Sequence, residues 1–426
     1  MKLEWKRIFI IGLAFFSVSI AWGVYNSYVP VFLDRLIAQS TLVGFIMTFD
    51  NIAGLIFQPF FGKKSDTTKT RLGRRIPYMV FGVPIAAVFL ILIPLHTAGG
   101  TTVAQIALLM AAVIGMNFFM SIYRAPAVAL MPDATPSPLR SRANGVINFM
   151  GGFGSVAAFA VGGWLFKKGE PLPFVFAAVM MILALVALLL FYREPENPYS
   201  SDVEGSSKEK GAALFFRKQG KEPLYKQNPS LIFMLLSIFF WFCGYNGVET
   251  FFTLFCIQRY DMDAGLASQY LTFMAMTFLL FAIPSGLIGS RLGRRRTMLG
   301  GVVLMALMFL IIVIVDSKAI LPVMLIGAGI GWALININSY PTIVQMAPRG
   351  ETGKYTGYYY AFSFSASIVS PVLFGFIADM MGKSYSALFI YGMVMFVLAL
   401  IALLMVRLPK EEIEPRGSGS APAMDA

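Results

Sequence analysis

Two carboxylates sit well inside apolar stretches of this 426-residue chain, Asp50 in "FIMTFDNIAGLIF" and Glu249 in "FCGYNGVETFFTLF". Arg124 stands in a third, "MSIYRAPAVALM", and Asp379 at the end of a fourth. An ionised side chain in the interior of a bilayer costs a few kcal/mol or more, so each such group has a task, either carrying an exchangeable proton or cation or holding a polar ligand. Bond-making chemistry is not expected. There is one histidine, no cluster with metal-ligand spacing, no nucleophile with a partner base, and no glycine-rich phosphate loop followed by lysine. The sequence therefore predicts neither an enzyme nor a resident cofactor or metal. Without an ATP-binding module, any work must draw on an ion gradient or on the ligand's own.

The elements that position these groups are membrane helices. With 57% apolar, 14% aromatic and only 13% charged residues, the composition is that of a polytopic membrane protein. Twelve apolar runs are each long enough to cross about 30 Å of hydrocarbon as a helix. The expected limits are 8–33, 41–62, 77–96, 102–126, 142–166 and 172–192, then 229–254, 265–289, 297–315, 319–346, 355–379 and 384–406. Barrel strands are excluded because the runs are apolar all round rather than alternating. The fold class is thus all-α, with a bundle over 1–192, a cytosolic linker over 193–228, a second bundle over 229–408 and a disordered tail over 409–426. "LFF" within the linker has the look of one interfacial turn. The basic N-terminus precedes an apolar run too long for a cleaved signal, so it stays as the first span.

Internal repetition divides the chain. "RLGRR" occurs at Arg71–Arg75 and again at Arg291–Arg295, and Tyr25-Asn26 recurs as Tyr245-Asn246 at the same offset. Further along, Gly115 pairs with Gly331, Pro126 with Pro341, Gly145 with Gly357 and Gly163 with Gly375. Matches in chain order indicate two homologous six-helix halves in parallel orientation, a pattern found in transporters whose site lies between the halves near mid-membrane. The small residues of spans five and eleven suit close helix packing.

The net charge of +12 is topological. With both termini inside, 27 of the 34 Lys and Arg fall on the cytosolic side, six outside, and Arg124 within a span. Anionic lipid headgroups, not nucleic acid, are the expected partners of that charge. Cys243 and Cys256 fall in one helix and indicate no disulfide framework, and His96 near a span end reads as a packed or interfacial residue.

The loop "GKKSDTTKTRLGRR", with Gly62, Asp66, Arg71, Gly73, Arg74 and Arg75, resembles the loop motif of the major facilitator superfamily, and "SRLGRRR", with Arg291, Arg294 and Arg295, is its shortened copy. Gly62 would admit a close helix approach, and the arginines would clamp Asp66 bidentately as a cytosolic gate. "SDTTKTRLGRRIPY" and "YRAPAVALMPDATPSPLRSRANGV" are together similar to the glycoside-pentoside-hexuronide cation symporters and the sucrose/proton branch.

That resemblance covers all twelve spans. It implies the major facilitator fold with both termini cytosolic, a multi-pass place in the plasma (inner) membrane, and a monomer. The implied function is secondary active symport of a sugar with a proton or sodium ion by alternating access. It also implies a cavity lined by spans one, four, seven and ten. Tyr25, Asn26, Asn117, Arg124, Tyr245, Asn246, Trp332, Asn336 and Asn338 would meet substrate there, with Trp22, Tyr123, Trp241 and Tyr340 nearby and Asp50 and Glu249 coupling the ion.

The sequence departs from these relatives where the coupling acids are concerned. The two span-two acids of the melibiose-permease branch correspond to Gly54 and Gln58, and the sucrose-branch acid before the arginine corresponds to Val113, although Asn117 is kept. Asp50, Gly54 and Gln58 share one helix face, so Asp50 can serve from a turn away. Two other functions stay open: an efflux antiporter for amphipathic compounds on the same fold, and a non-transporting membrane receptor. Glu249 is expected toward the outer end of its span.

Overall fold

The computed structural model describes residues 4–97, 103–136, 139–195, 199, 229–348 and 351–407, and among these the chain is helical with no strand. The tail over 409–426 and all of the linker beyond 195 except Tyr199 lie outside the described residues, as do the "LFF" turn and the His96 side chain. The first half contains α1 (Trp5–Leu36), α2 (Ser40–Met47), α3 (Phe49–Thr67), α4 (Ile76–Leu92), α5 (Val103–Ala134), α6 (Arg140–Phe166) and α7 (Leu172–Phe191). The second contains α8 (Pro229–Tyr260), α9 (Ala264–Leu292), α10 (Arg294–Val315), α11 (Leu321–Gln345), α12 (Thr352–Met380) and α13 (Leu388–Met405). Counting α2 and α3 as one, twelve segments are long and apolar enough to cross a membrane.

Two expectations need correction. Span four was to end at 126, but α5 runs through Pro126 and Pro132 to Ala134. A proline inside a membrane helix costs one hydrogen bond and its neighbours resupply the packing, so it bends the helix rather than ending it. The extension carries Asp133 into the basic loop. Span two was to be one helix, and it breaks at Thr48, whose hydroxyl donates to the Phe45 carbonyl at 2.7 Å. Asp50 therefore lies in the first turn of α3.

Call the face bearing both "RLGRR" loops the basic face. On the opposite face the two halves are stitched together. The Asp379 carboxylate, at the end of α12, accepts the Ser40 amide at 2.7 Å, the Thr41 amide at 2.8 Å and the Thr41 hydroxyl at 2.5 Å. It thereby caps α2, a helix of the other half, whose first amides have no intrahelical acceptor. Lys383 pairs with Asp34 at 2.9 Å, and the Tyr385 hydroxyl donates to Asp34 at 2.5 Å. Close backbone contact does the rest. A Cβ on Gly163 would come within 2.5 Å of the Gly265 carbonyl oxygen, and one on Gly375 would collide with Ser40. The glycines of spans five and eleven that the repeat pairs thus serve the same contact on two sides of the interface.

Candidate functional site

Asp50 on α3, Arg124 on α5 and Glu249 on α8 face one cavity of about 210 Å³ between the halves, with Trp22 and Asn26 of α1, Asn51, Asn246, Thr250, and Ser367 and Pro371 of α12 completing most of its wall. All three charged groups are half-buried rather than sealed, as a wet cavity requires. The Asn51 amide donates to the Asp50 carboxylate at 2.7 Å. Arg124 stands over the Trp22 ring, its guanidinium carbon 5.9 Å from the centroid, in cation–π geometry. Its charge acts on Asp50, while Glu249 feels Asp50 and interacts with the Asn26 side chain across the interface. Among the described residues no ion pair within 4.0 Å closes between Arg124 and either acid, leaving the centre free for a ligand.

Of the two copies of Tyr-Asn, the asparagines reach the cavity and the tyrosines do not. Tyr25 is fully buried, accepting from the Asn117 amide at 3.2 Å, so both are packing residues of the first half. Tyr245 stacks flat on Trp332 with centroids 4.1 Å apart. Asn338 is buried and spends its amide on Ser285 and the Leu334 carbonyl, and Asn336 also lies off the cavity wall. An asparagine inside an apolar bundle must find partners, and neighbouring helices supply them. In this structure these residues of the expected substrate set stand off the cavity wall. Glu249, expected toward the outer end of its span, stands 11 residues before the end of the 32-residue α8 and lines the cavity. Asn51 and Thr250 were missed, although each directly follows a buried acid in sequence.

The basic loop is also rearranged relative to expectation. Arg75 pairs with Asp66, but the bidentate clamp is on Asp133, reached by Arg74 Nη2 at 2.6 Å and Arg74 Nε at 3.1 Å, with Arg75 Nε at 3.0 Å. Glu194, just past α7, accepts the amides of Arg74, Arg75 and Ile76 at 2.7, 2.8 and 2.6 Å, capping α4. Gly62 is not a close-approach glycine here, since a Cβ there would meet Ala125 at an ordinary 3.7 Å. Its carbonyl instead accepts from Arg75 at 3.3 Å. Arg71 is exposed. In the second loop Arg291 is exposed, Arg294 donates to the Pro341 carbonyl at 3.1 Å and Arg295 to the Leu404 carbonyl at 2.8 Å. Among the described residues, every ion pair on this face joins elements of one half.

Two helical bundles closing over a polar cavity between them have the architecture of a membrane transporter. The Major Facilitator Superfamily model matches residues 11–280 and 263–424, and the chain belongs to that family. It is 23% identical to the class H tetracycline resistance protein of Pasteurella multocida over 87% of this chain and 89% of that one. It is 24% identical to the isoprimeverose transporter of Lactiplantibacillus pentosus, over 83% of this chain and 73% of that one. In fold it resembles an inward-facing, occupied bacterial homolog of the human lysosomal transporter Spinster, with a TM-score of 0.70, 14% identity and coverage of 93% and 94%. The nucleoside transporter NupG matches with a TM-score of 0.70, 13% identity and coverage of 93% and 98%.

Proposed function

We propose that the protein is a secondary active symporter that couples a proton or sodium ion to movement of a glycoside, disaccharide or related sugar by alternating access. The observation that carries this reading is the cavity itself, where one acid from each half and a single arginine stand among three asparagine amides and the Trp22 ring. Amides and a guanidinium bond sugar hydroxyls and an indole covers a sugar's C–H face, while the acids hold the coupling ion. Similarity to an isoprimeverose transporter supports the substrate class. By the positive-inside rule the basic face is cytosolic, so the stitched face is external, both termini are cytosolic, and this conformation is sealed from outside. The protein acts as a monomer in the plasma or inner membrane, without nucleic-acid partners.

A second reading, efflux antiport of an amphipathic cation, is favoured by the excess of acid over base in the cavity and by the tetracycline resistance relatives. Uptake of labelled isoprimeverose and other disaccharides into proteoliposomes, under separately imposed pH and sodium gradients, decides between them. Gradient-driven sugar accumulation that is lost in Asp50→Asn supports symport. Sugar uptake indifferent to both gradients, with Asp50→Asn behaving as wild type, rules symport out.

A further inference from the structure

The duplicated helices α6 and α12 carry the same pair of glycines at the same spacing, Gly145 and Gly163 on one, Gly357 and Gly375 on the other. Eighteen residues make five turns at about 3.6 residues per turn, so both members of a pair lie on one helix face, about 27 Å apart along the axis. Their surroundings are opposite. Toward the stitched face, Gly163 lies against the Gly265 carbonyl and Gly375 against the Ser40 carbonyl, so close that neither has room for a Cβ. Toward the basic face, among the described residues, nothing stands within 4 Å of a Cβ on Gly145 or on Gly357. A glycine inside a helix weakens it relative to alanine, and gains nothing where no neighbour comes close. Two such open positions, repeated in both halves, have no use in this conformation.

The packed ends also fix a register. α6 and α9 run antiparallel, with Gly163 against Gly265 at one end of their contact and Gly152 against Leu279 near the middle, where a Cβ on Gly152 would come within 2.8 Å of the leucine. Seven residues further along each helix, on the same faces, Gly145 comes opposite Gly286, which is half-buried with only Ile337 near it, at an ordinary 3.6 Å from a Cβ. α2 and α12 meet at Gly44 and Pro371, where a Cβ on Gly44 would strike the proline carbonyl. Thr48 keeps right-handed helical geometry, so the bend adds no residue to the count, and fourteen residues on Gly357 comes opposite Gln58.

We infer that Gly145 with Gly286, and Gly357 with Gln58, are the close contacts through which the halves meet on the basic face when the cavity turns to the other side. These contacts rest on the alternating-access reading and serve symport and antiport alike. Each helix pair is then a lever balanced near its middle. One glycine holds the stitched end shut now, and its mate five turns away receives the opposing helix in the other state. Backbone approach at these points lets a rocking movement of rigid halves close either end without repacking side chains.

The test uses the full chain in lipid vesicles and needs no substrate. The cysteine pairs Gly145→Cys/Gly286→Cys and Gly357→Cys/Gln58→Cys are expected to form disulfides under copper–phenanthroline oxidation several-fold faster than pairs displaced by one turn, Gly145→Cys/Ser290→Cys and Gly357→Cys/Gly54→Cys. Mass spectrometry of the linked peptides identifies each bond. A side chain at Gly145 or Gly357 meets nothing in the present conformation, so Gly145→Leu and Gly357→Leu should keep the wild-type thermal midpoint while holding the basic face open. Labelling of Asn51→Cys by an impermeant thiol reagent added on the stitched face should then fall several-fold. Gly163→Leu should raise the same labelling, because it wedges apart a contact that is closed now. In-register pairs that link no faster than the displaced ones overturn the inference, as do leucine variants at Gly145 and Gly357 whose labelling matches the parent. A drop in thermal midpoint as large for Gly145→Leu as for Gly163→Leu also overturns it, since static packing would then be the role of both. Failure to find any transported sugar would count against the symport reading while leaving the cross-links and the labelling intact.

Discussion

In the first half Arg74 and Arg75 converge on a buried carboxylate, Asp133, while Glu194 collects three amides at the start of α4. Among the described residues of the second half, the same pentapeptide finds backbone carbonyls and the Gln345 side chain at the ends of α11 and α13. What the copies share is the turn. Gly73 and Gly293 have φ of +105° and +89°, a region side chains avoid, which explains why the glycine recurs with the arginines. What they do not share is the acceptor. At the offset of 215 that pairs Pro126 with Pro341, Asp133 falls opposite Pro348, which offers no carboxylate. A duplicated motif has thus kept its backbone role in both places and its electrostatic role in one.

The comparison is broken most directly at Asp133. Replacing it with asparagine leaves Arg75, only 4% exposed, with the more exposed Asp66 as its remaining carboxylate, and removing one partner of a buried pair costs up to about 3–5 kcal/mol. Thermal unfolding in detergent should fall sharply, and an unchanged midpoint would show that the clamp is ornamental. Next in size is Gly73→Ala, with about 1–3 kcal/mol for a strained backbone, because its Cβ would also run into the Glu194 side chain. Gly293→Ala pays only the backbone term, since nothing stands within 4 Å of a Cβ there. Equal losses in the two variants would contradict the asymmetry.

Asp379→Ala removes the cap that ties the halves on the opposite face, at about 0.5–2 kcal/mol. Labelling of a cysteine introduced at Asn51 by an impermeant thiol reagent added on that face should rise several-fold, and no rise would show that the cap does not hold the closed state. Arg294→Ala gives up hydrogen bonds to a carbonyl and to Gln345, about 0.5–1.5 kcal/mol, and is expected to be far milder than Asp133→Asn in the same thermal assay. The smallest effect is expected at the exposed pair of Arg259 and Asp316. The hydrogen bond from Arg259 holds the Asp316 carboxyl below the usual carboxylate range. Its contribution is therefore present above that range and is lost as pH falls through the lowered value. Wild type and Asp316→Asn should differ slightly in melting temperature at neutral pH and converge in strong acid. A difference that grows in acid would reverse the sign.

The twelve spans and the charged residues within them were legible in the sequence, because hydrophobic length and the cost of intramembrane charge act locally. The asparagines of the repeated pair were legible too. Which of two adjacent polar residues turns inward was not: Asn26 faces the cavity and Tyr25 the core, a difference of about 100° around α1 set by how the helix packs. The true clamp on the basic face was hidden for a similar reason. Asp133 lies 58 residues from Arg75 and was placed beyond the end of its span, so only the persistence of α5 through two prolines brings it within reach.

The break at Thr48 makes span two a jointed rod whose segments answer to different masters. Its upper segment is fastened by Asp379 to the second half of the molecule, and its lower segment carries Asp50 and runs down to the arginine cluster of the first. Any parting of the halves on the stitched face must either unfasten that upper segment or swing it about the joint. In the second case the displacement is delivered one residue past Phe49, straight to the cavity acid.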